Sequence, residues 1–200
     1  MDVINKLERE KEVRLRLISE FLSNIYNTSP NISHKKVNLE IGCGHGHWLA
    51  SFAEKKGDEV FIGIDLITKR IDRALRKVKN DKIQNLFFLK AEATEFLSAL
   101  HPSLLLSQCY IMYPDPWPKA RHHKRRLINE SFLNQLAEKS TSDAQFFFRS
   151  DHIEYFQWTT QITKSSCCWE IIDSAWPHEH QSFFQNLLPK HQSFSARRKD

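Results

Sequence analysis

Two hundred residues, 40% hydrophobic and 26% charged, suit a single globular domain with a sizeable core. No run reaches the ~18 apolar residues of a membrane span, and the charged opening Met1-Asp-Val-Ile-Asn-Lys6 holds no secretory apolar segment, so a cytoplasmic, non-membrane protein is expected. Twenty-nine basic side chains against 24 acidic ones leave a formal charge of +5, which favours a polyanionic partner.

In chain order, residues 2–26 read as an amphipathic helix. Ile4, Leu7, Leu15, Ile18, Phe21, Leu22 and Ile25 recur at spacings of three, four and seven or eight, with charged residues between them. The helix is expected to pack on the domain, and an RNA-contacting arm is the other reading. A loop over 27–36 then divides residues 1–36, helix and linker, from an α/β domain over 37–200.

Val37-Asn-Leu-Glu-Ile41 is a strand pattern that runs into Gly42-Cys-Gly-His-Gly46, where three of the chain's five glycines fall. Glycine permits positive φ and close backbone approach, which a strand-to-helix turn facing a ligand needs. His47–Lys56 reads as the helix that follows. Val60–Asp65 is a second strand, ending in an acid placed to accept from ribose hydroxyls. The spacing is G-x-G-x-G, with His47 where a dinucleotide fingerprint would have glycine, and Glu40 lies inside the strand. Both features argue for a cationic or amino-bearing ligand over a pyrophosphate. Ile67–Lys79 (helix), Leu86–Leu89 (strand) and 93–100 (helix) continue the alternation. Glu92 is either an acceptor for an adenine amino group or a surface acid at a helix start.

The fourth strand, Leu104 to Met112, delivers Tyr113-Pro-Asp-Pro-Trp-Pro-Lys-Ala-Arg-His-His-Lys-Arg-Arg126. Each proline biases the residue before it towards extended backbone, so Tyr113, Asp115 and Trp117 are expected in a stiff, non-helical rail. Lys119, Arg121, Lys124, Arg125 and Arg126 follow with no acid among them and suit a phosphate-binding surface. Arg126–Ser140 (helix), Ala144–Phe148 (strand), Ile153–Lys164 (helix), Cys168–Ile172 (strand) and a last strand near His191–Ala196 complete the pattern. The fold expected is α/β: one seven-stranded, mostly parallel sheet with helices on both faces. The glycine loop, Asp65, Glu92, Asp115 and Asp151 then fall at the carboxyl ends of strands, the edge where open α/β sheets bind ligands. Cys43, Cys109, Cys167 and Cys168 lack C-x-x-C spacing and His122-His123 has no completing ligand, so a reduced compartment and no metal are expected.

Leu39-Glu-Ile-Gly-Cys-Gly-His-Gly46 and Tyr113–Arg126 together resemble the cofactor loop and the most distinctive signature of the bacterial tRNA (guanine-N7)-methyltransferases. The likeness covers roughly residues 37–155. It implies a Rossmann-like class I methyltransferase fold and S-adenosyl-L-methionine as cofactor. It implies tRNA as partner to a monomer or homodimer, with methyl transfer to N7 of a guanine in the variable loop, guanine 46. Carried over by position, Asp115 is catalytic, and Glu40, Gly42, Gly44, Gly46, Asp65, Glu92 and Asp115 contact the cofactor. Lys119 and Asp151 contact the substrate, and Arg121, His122, His123, Lys124, Arg125 and Arg126 touch RNA. Two motifs depart from the family: Ser150-Asp-His152 stands for Thr-Asp-Trp, and Ser182-Phe-Phe-Gln185 for Thr-Lys-Phe-Glu. Ser182 and Gln185 are therefore the candidate base contacts, but an amide cannot bind guanine's N1–H and N2–H pair as a carboxylate does. Three rivals stand beside this reading: an RNA-binding protein on the same fold without turnover, an amino-group methyltransferase and an NAD oxidoreductase.

Overall fold

Every residue of β1 (Val37–Ile41) and β2 (Val60–Asp65) is buried, as strands covered on both faces must be. The computed structural model describes residues 2–28, 35–81, 83–180 and 190–199. With β3 (Leu86–Lys90), β4 (Leu106–Met112), β5 (Ser140–Ser150), β6 (Trp169–Ile172) and β7 (Gln192–Arg198) these strands form one sheet, ordered β3-β2-β1-β4-β5-β7-β6. Strand β7 runs antiparallel to β5 and β6, and the remaining pairs are parallel. Strand order reverses between β1 and β4, so the carboxyl ends of these two strands frame the crevice where a doubly wound sheet receives its ligand.

The helices are α1 (Asp2–Thr28), α2 (His47–Ala53), α3 (Thr68–Asp81), α4 (Ala93–Ala99), α5 (Glu130–Glu138) and α6 (Ile153–Ser165), with a 3-10 turn over Ala120–Arg125. Side chains alternate across a strand, and the alternation in β1 divides two cores. Leu39 and Ile41 join the core that includes Ile18 of α1, Phe96 of α4, Phe132 of α5 and Tyr155 of α6. Asn38 and Glu40 face the other side, where α2 and α3 cover Phe61, Phe88, Tyr110 and Phe147.

Among the described side chains of helix α1, the buried ones lie in its carboxyl-terminal half. Ile18, Leu22 and Ile25 are buried, while Leu7, Val13 and Leu17 are exposed. Arg14 fastens it to α4 by a two-pronged bond, Nε to Glu95 Oε2 at 2.8 Å and Nη2 to Oε1 at 2.7 Å.

Two expected elements are corrected. Strand β5 starts at Ser140, four residues before the expected Ala144, because Ser140 pairs with Leu106 across a register shift. Its Oγ donates to Leu136 O at 2.6 Å, so a polar stretch that reads as loop is accommodated in the sheet. Helix α5 starts at Glu130, not at Arg126, because Asn129 Oδ1 caps it by accepting from Phe132 N.

The turn from β1 to α2 requires glycine. Gly46 is the N-cap of α2 with φ 71°, and a Cβ there would collide with the Phe88 ring. Gly46→Ala therefore loses ~1–2 kcal/mol on backbone conformation alone, plus the displacement of Phe88. Urea unfolding should show a clear drop in midpoint. Gly57→Ala, with open space and no positive φ, should stay close to the parent; equal midpoints for the two variants would disprove the assignment.

Candidate active site

At the β1/β4 switch point lies a cleft of about 270 Å³, walled by Glu40, Gly42, Gly44, Trp48, Met112 and Tyr113, with Arg70 at its margin. Asp65 lies behind that lining and braces the glycine loop. Asp65 Oδ2 accepts from Gly44 N at 3.1 Å, Oδ1 accepts from Ile67 N at 2.8 Å, and Arg70 Nη1 lies 3.3 Å from Oδ2. Gly42 N and Cys43 N both donate to Ile64 O. The acid at the end of β2 is thus a brace for the glycine loop, and its remaining lone pairs are what it can offer a ligand.

Glu40 is in the opposite condition. It is 4% exposed, and its Oε2 has no hydrogen-bond partner among the described residues. Burial, with the charge of Asp65 adding to it, pushes the Glu40 carboxyl well above the usual carboxylate range. A buried acid with an unpaired oxygen lining a cleft is a receptor for a cationic or amino-bearing group.

Beyond β4 the chain does not form the expected extended rail. Tyr113 has φ 51° and Trp117 φ 44°, left-handed backbone that bulky residues rarely adopt. Tyr113 N still donates to Arg149 O at 2.8 Å, so the ladder ends there and the chain reverses. Trp117 is flanked by Arg125, 5.0 Å above its ring, and His122, 5.8 Å away edge-on. Arg126 is not part of the exposed basic strip, which corrects its RNA-facing assignment. It is 2% exposed, donates Nε to Pro116 O at 2.9 Å and Nη2 to Glu154 Oε1 at 2.9 Å, and stacks over Tyr155 and Trp158 at 5.1 Å each. It clamps the proline segment to α6.

Residues 34–196 match the protein family described as "Putative methyltransferase". The chain belongs to that methyltransferase family. Among curated relatives it is 36% identical over 132 residues to the tRNA (guanine-N(7)-)-methyltransferase of Wolbachia pipientis, covering 66% of this chain and 59% of the relative. It is 32% identical over 157 residues to the enzyme so named from Corynebacterium diphtheriae, covering 78% and 60%. The chain thus spans about three fifths of the length of these relatives. Among solved structures, an aminoglycoside-resistance methyltransferase superposes with TM-score 0.58 at 15% identity over 84% of this chain and 89% of that one. An rRNA methylase from Streptococcus thermophilus does so with 0.56 at 6% identity over 94% and 97%. At such identities these two speak for the fold.

The remaining expected residues fall in distinct places. Glu92 caps α4, its Oε2 accepting from Glu95 N at 2.9 Å and Thr94 Oγ1 at 2.6 Å, which matches the helix-start alternative. Asp115 is exposed and is not among the cleft-lining residues. Two residues of chain, at most ~7 Å, separate it from Tyr113 on the cleft wall. Lys119, Arg121, Lys124 and Arg125 are exposed, His122 and His123 half-buried, and His123 Nε2 lies 3.4 Å from Glu154 Oε1. Asp151 is exposed beyond β5, and His152 caps α6 through Nδ1, which accepts from Tyr155 N. Ser182 and Gln185 lie outside the described residues.

Sequence reasoning missed Arg149 and the segment that it holds. Arg149, 3% exposed in β5, binds Glu179 with both Nη atoms at 2.8 and 3.3 Å and lies 4.0 Å over the Trp176 ring. His178 stacks flat on Phe52, and its carbonyl accepts from Trp48 Nε1 at 3.0 Å. An arginine placed directly after three phenylalanines was the available signal, since a cation in a buried run demands a partner.

Two outcomes are expected. Glu40's folded pKa is raised, so its contribution to stability is full below the unfolded value of ~4.3 and is lost as pH rises from there towards the folded value. Glu40→Gln removes that loss, so the ligand-free variant should gain on the parent between pH 5 and pH 8 in urea titrations; a constant gap would refute the buried acid. Arg126→Ala should lose ~2–4 kcal/mol, from the Pro116 hydrogen bond and two ring stacks rather than from half-exposed Glu154. Arg126→Lys should recover only part of it in thermal melts, and full recovery would show that charge alone suffices.

Proposed function

We propose that this methyltransferase moves a methyl group from S-adenosyl-L-methionine to N7 of a guanine in the tRNA variable loop, guanine 46, in the cytoplasm. The observation that carries the reading is Glu40, whose unpaired buried carboxyl suits the amino-bearing, cationic methyl donor and suits a pyrophosphate poorly. The names of the curated relatives supply the substrate class. When bound, the donor supplies an electrophilic sulfonium methyl.

The residues divide the remaining work. Glu40 accepts from the donor's amino group, and the glycines at 42, 44 and 46 admit it close to the backbone. Asp65, already committed to the loop, has lone pairs left for ribose hydroxyls, and Glu92 likewise has its second oxygen for adenine. Guanine N7 carries an in-plane lone pair and no proton, so the protein needs no general base, and alignment is its main task. The alkylated purine is cationic, and Asp115 offsets charge as it develops on the ring. Lys119 and Asp151 hold the nucleotide at the same edge, while Arg121, Lys124 and Arg125, with the half-buried His122 and His123, follow the phosphates. Ser182 and Gln185 complete the base contacts, and residues 1–36 precede the methyltransferase domain over 37–200 in sequence, with α1 packed on its core.

Asp115→Ala should reduce N7-methylguanosine formation at least a hundredfold, read by cleavage of the labile product, with donor binding by calorimetry retained. Glu40→Gln should do the reverse, weakening donor binding first. Parent-level turnover in Asp115→Ala would exclude the role. If Lys119, Arg121, Lys124 and Arg125 engage about four phosphates, tRNA affinity should fall roughly a hundredfold between 50 and 200 mM salt. A flat response would remove the strip from the interface.

A further inference from the structure

Cys167 and Cys168 stand immediately before β6, with their Sγ atoms 3.4 Å apart. Strand β6 is antiparallel to β7, which is antiparallel to β5, so β6 runs parallel to β5. The pair therefore lies at the sheet edge opposite the cleft and takes no part in the site described above. Cys167 is exposed and Cys168 half-buried, whereas Cys43 and Cys109 are 7% and 1% exposed. Burial pushes both of those inner thiols up, which keeps them protonated and inert. The backbone of Cys168 is tied at both ends: its N donates to Ser166 Oγ at 3.1 Å, and its O accepts from Lys199 N at 2.9 Å.

Three chemistries use two thiols, and distance separates them. A disulfide needs Cα atoms ~4.4–6.8 Å apart, but neighbours across a trans peptide are only ~3.8 Å apart, so a bond between these two is strained and readily reduced. Tetrahedral zinc with sulfur at ~2.3 Å would hold its thiolates roughly 3.75 Å apart and takes two more ligands. Among the described residues no group of three His, Cys, Asp or Glu is arranged to hold a metal. A centre that draws two sulfurs from the protein and nothing else, and that inserts between them without forcing them into bonding contact, remains.

We propose that Cys167 and Cys168 form a dithiol site for a thiophilic trivalent metalloid, an organo-arsenical in the first instance. In the capture step two As–S bonds form and the As–O linkage breaks. Both thiol protons leave with that oxygen as water, and arsenic stays trivalent. No oxidant or reductant is consumed.

The test uses the full chain under native conditions with phenylarsine oxide as the probe. Intact mass should rise by one phenylarsenic unit less two protons per chain. The adduct should survive excess glutathione and be removed by 2,3-dimercaptopropanol. Because the second thiol binds intramolecularly, Cys167→Ser or Cys168→Ser should each weaken retention roughly a hundredfold. Peptide mapping should place arsenic on the 167–168 pair. An adduct on Cys43 or Cys109, full retention in either single variant, or no adduct on the native chain would overturn the proposal.

Discussion

The carboxyl of Glu40 sits in the middle of a parallel sheet, between β2 and β4, with an oxygen that nothing among the described residues satisfies. Sealing an acid there opposes folding, and the neighbouring charge of Asp65 makes ionisation harder still. The two acids occupy adjacent strands yet meet opposite treatment. Asp65 is given two backbone N–H groups and Arg70, and by taking them it fixes the positive-φ glycine turn over the strand end. Glu40 Oε2 is given no partner among the described residues, so an amino-bearing or cationic group entering the cleft would relieve a defect that the folded chain carries. A ligand that repairs an instability of the native state stabilises that state on binding.

A second tension faces the first across the switch point. Tyr113 and Trp117 hold left-handed backbone, which typically costs a non-glycine residue about 1–3 kcal/mol. Such conformations persist only where the surroundings over-determine them. Here Tyr113 N is fixed by Arg149 O, and Arg126 holds Pro116 O from within the core. Arg149 and Arg126 are both buried cations, and each is paired with a glutamate that is itself largely exposed. The pairs therefore keep one end in water, which lowers the desolvation penalty of a fully buried ion pair. The outcome is an exposed Asp115 displayed on a loop with both flanks tied to the domain.

Much of this was legible in the sequence because it is local. Strands β1 and β2 match their expected limits at both ends, since the alternating β1 runs straight into a glycine loop and the apolar run of β2 ends in an acid. Helix α5 and strand β5 were misplaced where polar residues serve as cap and ladder, which composition cannot distinguish from loop. The pre-proline rule failed at Tyr113 and Trp117 because it is a preference of the isolated dipeptide, and tertiary bonds to Arg149 and Arg126 override it. Arg126 looked like the last member of a basic run, and nothing in its neighbours tells an inward arginine from an outward one. The Trp48–His178 bond spans 130 residues, a range at which no spacing rule operates.

The departure at His152 gains a meaning from this network. The family pattern places Trp after the acid, and this chain places a residue whose ring nitrogen caps α6. Helix α6 carries Glu154, Tyr155 and Trp158, the three side chains that receive the Arg126 guanidinium. Arg126 in turn holds the carbonyl of Pro116, next to Asp115. A cap at the first turn of α6 therefore bears on the Asp115 loop through one buried cation. His152 keeps a ring at that position and adds a nitrogen that fixes the helix end presenting the clamp.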